Sequence, residues 1–157
     1  GYVMTAFLRI LWFWLAAGAL APAAAQETTV DDTMPMMATG IILPRMDAAA
    51  GRQLFAAKGC VLCHSVNGVG GLDAPPMDAE YMEPMMNPFD FAAGMWRGSE
   101  AMVALQREEL GAPVELTGQD LADIIAFVHD AGEQRRFSEA DIPAPILALL
   151  MKMEGGE

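Results

Sequence analysis

The chain has 157 residues and a mass of 16.8 kDa, with 54% apolar and 19% charged residues, which is enough for one domain with its own core and too little for two. Nine Lys and Arg against 21 Asp and Glu give a net charge of −12 and a pI near 4.4, which excludes sequence-independent binding to nucleic acid, because that binding runs on neutralising phosphates. Two cysteines exclude a disulfide-stapled mini-protein, and 13 Met with a mean hydropathy of +0.27 call for a reason.

Arg9 is the only charge in residues 1–25 and precedes an apolar run from Ile10 to Ala21, after which small residues lead to Ala23-Ala24-Ala25 before Gln26. A basic start, an apolar middle and a small-residue end form the pattern of an export signal peptide. The stretch from Ile10 to Ala25 falls short of the roughly 20 residues of a spanning helix, which favours cleavage over an uncleaved N-terminal anchor. Cleavage removes one arginine and no acid, so −12 becomes −13 on an exported, periplasmic chain, and it removes Trp12 and Trp14, leaving Trp96.

Residues 26–46 read as an irregular lead-in interrupted by Pro35, Gly40 and Pro44. Asp47 is a good N-cap for a first helix that stops at Gly59, with Gly51 one turn before Phe55. Cys60-Val61-Leu62-Cys63-His64, a Gly-rich loop and a Met- and Pro-rich stretch (77–88) follow. Asn87 and Pro88 open a second helix, expected from Phe89 to about Leu105 or Leu110, with Gly98-Ser99 as a break that turns the chain. Thr117 caps a third helix with Leu121, Ile124, Ile125 and Val128 at helical spacing and Gly132 closing it. A short tail helix is expected within residues 138–154, interrupted by Pro143 and Pro145. No internal repeat and no strand alternation is present, so the expected class is all-α.

Cys60-x-x-Cys63-His64 is the attachment pattern of a c-type haem. Two thiols three residues apart on a helical turn share one face and can add to the two vinyl groups of one porphyrin, while the adjoining His64 can coordinate iron from the same side. A thiol–disulfide oxidoreductase would carry CxxC after a strand in an α/β chain, and a zinc site wants four ligands where the chain has two Cys and two distant His, His64 and His129.

Gly51-x-x-Leu54-Phe55-x-x-Lys58-Gly59-Cys60-x-x-Cys63-His64, Ala74-Pro75-Pro76-Met77 and the run Leu121–Val128 together resemble the class I (monohaem) cytochromes c of the bacterial periplasm, over about residues 47–132. The resemblance implies three main helices around one covalently bound haem c, with extensions at 26–46 and 133–157. It implies that the first and last helices cross with a small residue against an aromatic, here Gly51 and Phe55 against Phe127. Cys60 and Cys63 would form the thioethers, His64 would be an axial ligand, and the Pro75 carbonyl would accept the His64 Nδ1–H. The family's second axial ligand is usually a Met between the middle and last helices. None lies between Val103 and Thr117, while Met77, Met82, Met85 and Met86 precede the middle helix. Met102, nearest the last helix, is favoured, and Met95, two turns back on the same face, is the rival. Trp96 and Arg97 are candidates for a haem propionate, against a plainer reading as core Trp and surface Arg. His129, beside Asp130, reads as a solvated residue at a helix end.

One haem, two cysteines used in its attachment and an axial Met leave no open coordination position, so the expected function is one-electron transfer, not catalysis. The chain would serve as a diffusible carrier or as a haem subunit of a membrane-bound respiratory or photosynthetic complex, with the lead-in and Ile146-Leu147-x-Leu149-Leu150-Met151 as apolar interface. Its acidity points to redox partners, donor and acceptor, with basic docking surfaces. An alternative from another class is a copper-binding or metallochaperone protein using Met34-x-Met36-Met37 and Met82-x-x-Met85-Met86 as soft ligands, with core and interface packing as the plainer use of those Met.

Overall fold

Asp47 starts the first helix as expected: its carboxylate accepts the N–H groups of Ala49 and Ala50 at 2.9 and 3.0 Å, satisfying donors that have no partner inside the helix. This helix, α1 (Ala48–Ala57), ends at Gly59 (φ 81°), and the chain turns directly into a 3₁₀ turn, Cys60–Leu62. The computed structural model describes residues 37–38 and 40–155, so the export-signal pattern of residues 1–25 and the residues Met34 and Met36 lie outside the described residues. No helix among the described residues is long and apolar enough to cross a membrane.

The lead-in is not wholly irregular: Met37–Ala38 and Ile41–Ile42 pair antiparallel as two two-residue strands. The second helix is two. α2 (Pro88–Arg97), capped by Asn87, and α3 (Ser99–Glu109) meet at Gly98, the break expected from the sequence. α4 (Gly118–His129) begins with a capping box between Thr117 and Asp120. It ends at His129, three residues before the expected Gly132, because the Asp130 carboxylate accepts the Glu133 N–H at 2.8 Å and starts a new short helix, α5 (Ala131–Gln134). The tail forms a 3₁₀ turn, Glu139–Asp141, and α6 (Ala144–Glu154). Pro143 and Pro145 do not interrupt α6. They start it, where a missing N–H costs nothing.

α1 and α4 cross in close contact. A Cβ on Gly51 would lie 1.9 Å from the Asp123 carbonyl oxygen and 2.8 Å from Phe127 Cβ, so only a residue without Cβ lets the backbones approach this far. The Asp123 carboxylate, buried at the crossing, accepts the Asp47 N–H (2.9 Å) and the Gln119 amide (2.8 Å), which also reaches the Arg45 carbonyl (2.7 Å). Phe55 and Phe127 stack at 5.6 Å between ring centroids, and Phe137, from beyond α4, completes a three-ring cluster at 5.8 and 5.6 Å from them.

The same core holds Val61, Leu62 and Val66 from the CxxCH region and Ile142 and Leu150 from the tail. The run Ile146–Met151, expected as an interface with another protein, instead folds back: Leu150 is 5% exposed, and Ile146, Leu147 and Leu149 pack on the core while Met151 faces outward. The helical spacing is the same for either use. Ion pairs of Arg52 on α1 with Glu133 (2.8 Å) and Asp141 hold the tail in place. The class is all-α, with one principal crossing, α1 on α4, and the α2–α3 pair touching α4 through α2.

Candidate functional site

The CxxCH turn is held from behind by its own loop. The Gly71 N–H donates to the Val61 carbonyl at 2.8 Å, and a Cβ on Gly71 would lie 1.8 Å from the Leu62 carbonyl oxygen. The Gly-rich loop is therefore a close backbone packing, not a flexible connector. On the other side, the Ala74 N–H donates to Cys63 O (2.9 Å) and the Met77 N–H to Ser65 O (2.8 Å), so residues 74–77 run alongside 63–65.

This pairing brings the Pro75 carbonyl 2.7 Å from His64 Nδ1. A carbonyl oxygen only accepts, so Nδ1 carries the proton and donates, and Nε2 keeps a free lone pair suited to a metal ion. Cys60 and Cys63 stand as free thiols on the same turn. Burial pushes the Cys60 thiol up to about 11, and burial, with the charges of Asp73 and Glu109, raises that of Cys63.

Both thiols and His64 open into one cavity of about 880 Å³. Its walls are mostly apolar: Ala74–Met77 and Met82 on one side, Phe91 and Met95 of α2 with Met102 and Leu105 of α3 on another, Leu121, Ile124 and Val128 of α4 behind. Met95 and Met102 thus reach the same cavity from the two sides of the Gly98 break, as do Met77, Met82 and Met86, while Met85 is 94% exposed. Arg97 lies on the cavity rim together with Asp73, Asp90 and Glu109.

Trp96 is not the core residue of its plainer reading. Its ring is 79% exposed and is no part of the cavity wall, because one residue along a helix rotates it away from Met95. His129 is not solvated either. Its Nδ1–H donates to the Ile125 carbonyl at 2.8 Å, its ring sits edge-on to Phe91 at 6.2 Å, and Nε2 is buried without a partner among the described residues. It lies outside the cavity wall.

One residue near the site has no counterpart in the sequence reading. Gln134 is 2% exposed and its amide reaches the Met77 carbonyl, the Val128 carbonyl and the Ala79 N–H at 2.8, 3.2 and 2.8 Å. No spacing or motif marks it, because two of its three partners, the Met77 carbonyl and the Ala79 N–H, are backbone groups far away in sequence.

The residues present fit the haem expected from the sequence. A cavity of this size falls within the roughly 300–1,000 Å³ of cofactor sites. Two unpaired thiols on one turn can form two thioethers, and a histidine of fixed tautomer offers Nε2 to iron. No residue of α2 or α3 is fully buried, so their apolar inner faces have the cavity as their neighbour and an apolar occupant would complete the core. A family model for cytochrome c matches residues 48–132, more than half of the chain. No curated protein and no solved structure matches it.

Proposed function

Since the chain belongs to the cytochrome c family, whose members transfer electrons through a covalently held haem c, we propose that it is a monohaem, class I one-electron carrier of the periplasm. The haem, when bound, supplies the one-electron chemistry, its iron moving between ferrous and ferric. The protein's own residues hold and tune it. Cys60 and Cys63 anchor the ring, which keeps it from being lost outside the cell. Two cysteines suffice for one haem, hence one per chain. His64 would hold the iron through Nε2, and the observation that carries the reading is its 2.7 Å bond to Pro75, which fixes the tautomer and orients the imidazole.

Met102 would be the second residue to hold the iron, through its thioether sulfur. Gly98 releases α3 from the direction of α2, and Met102 lies in the first turn after that break, its N–H bonded to the Gly98 carbonyl at 3.2 Å. Replacing it tests the assignment: the weak far-red band of methionine-ligated ferric haem disappears in Met102→His and persists in Met95→His. The reverse pattern assigns Met95. Retention of the band in both variants removes both residues.

The protein works as a diffusible carrier, since the tail expected to bind a larger complex is occupied with its own core. Size exclusion of native extract checks this, a carrier eluting alone near its own mass. Its acidity selects donor and acceptor proteins with basic docking surfaces, so electron transfer to such a partner slows as salt is added. Salt-independent rates would contradict that polarity.

A further inference from the structure

We propose that Gln134 is a positioning residue for the axial histidine, acting through the segment that carries Pro75. The proposal rests on the electron-transfer reading above and concerns a residue beyond the part of the chain the family model matches.

Pro75 and Pro76 have no N–H, so the backbone of residues 74–77 bonds to the backbone of 63–65 only at its ends, through Ala74 and Met77. The Pro75 carbonyl, which sets the hydrogen bond to His64, has no neighbouring donor of its own strand to hold it. Gln134 supplies the hold from the other side. Its Nε2 donates to the Met77 carbonyl and its Oε1 accepts the Ala79 N–H, both at 2.8 Å, while the second Nε2 bond ties the amide to the end of α4 at the Val128 carbonyl (3.2 Å). Its backbone carbonyl accepts the Asn67 side-chain amide (3.0 Å), and the Asn67 N–H donates to the Asp78 carboxylate (2.8 Å). All the donors and the acceptor of a buried amide are used, and all but one of these links lead to residues 67–79 around the histidine. Such an amide is costly to bury unless fully bonded, so it holds one geometry.

An imidazole whose Nδ1–H is bonded more tightly is a stronger donor to iron and favours the ferric state. Loosening residues 74–79 therefore shifts the couple toward ferrous. In the haem-loaded full chain, Gln134→Met fills the space without hydrogen bonds and should move the ferric–ferrous ratio toward ferrous by up to about tenfold, which is 59 mV for a one-electron couple. It should also speed exchange of the His64 Nδ1 proton, followed by NMR. Phe137→Leu loosens the same tail in the three-ring cluster, removes no side-chain hydrogen bond and keeps the backbone N–H bond to the Gln134 carbonyl (3.0 Å), and should leave the potential in place. An unchanged potential in Gln134→Met, or an equal shift in Phe137→Leu, overturns the proposal. If Gln134→Met does not fold, the unmodified protein decides: the Ala79 amide proton should exchange as slowly as core amides of α4, and fast exchange overturns the clamp. A chain that carries no covalent haem or shows no reversible one-electron couple overturns the functional reading instead, and the Ala79 amide then judges the clamp by itself.

Discussion

Gly51 and His64 show how much depends on single atoms. At Gly51 a methyl group has no room, since it would meet the backbone of Asp123 at 1.9 Å. Gly51→Ala should therefore force α1 and α4 apart and cost about 3 kcal/mol, on the order of 10 °C in melting temperature by circular dichroism. Gly118→Ala, where nothing lies within 4 Å, should change stability by less than about 1 kcal/mol. Equal melting of the two variants would refute the close-approach argument. The Cys-x-x-Cys-His motif marked His64 directly, while its Pro75 partner followed only from the family resemblance carried by Ala74-Pro75-Pro76-Met77, and the two stand 2.7 Å apart. Trp96 was not legible, since a one-residue step decides which way a helical side chain faces and no local signal fixes the helix's rotation.

At the scale of elements, the helix starts were readable because caps are local. Asp47, Asn87 and Thr117 each bond to backbone N–H groups within three residues. The helix ends were less readable. α4 stops at His129 because Asp130 already caps the next helix. In α4 the capping box has a pH signature. The Thr117 N–H (3.0 Å), then Lys58, holds the Asp120 carboxyl below its ordinary value. A carboxyl depressed in the folded state stabilises the fold above the ordinary carboxylate range of about pH 4, and that contribution is lost as pH falls through the folded value. Asp120→Asn should thus melt lower than the parent at neutral pH, with the two curves converging below about pH 4. Parallel curves down to the acid limb would show that the box carries no such linkage.

For the molecule as a whole, the tail is the decisive part. Phe137, Ile142 and Leu150 are buried in one core with Phe55 and Phe127, and Arg52 ties α1 to Glu133 and Asp141. Each large apolar side chain is worth about 1.5–3 kcal/mol when buried. Three of them rival the roughly 5–15 kcal/mol that stabilises a typical domain. A chain ending at residue 132 should therefore show no cooperative melting transition in calorimetry. A transition within a few degrees of the full chain would show that the tail is dispensable. The apolar run Ile146–Met151 looked equally suited to a partner and to the chain's own core, because amphipathic spacing records that a face is buried and not against what.

The sequence by itself determined the helical class, the starts of α1, α2 and α4 and the grouping of Cys60, Cys63 and His64 on one turn, because caps, breakers and the CxxCH spacing act over a few residues. Only the tertiary structure decided that Met95 and Met102 reach one cavity, that Trp96 faces outward, that the tail completes the core, and that Gln134 grips residues 77–79. Those outcomes depend on how helices rotate and pack across long stretches of chain, and pairings of that range leave no mark in local spacing.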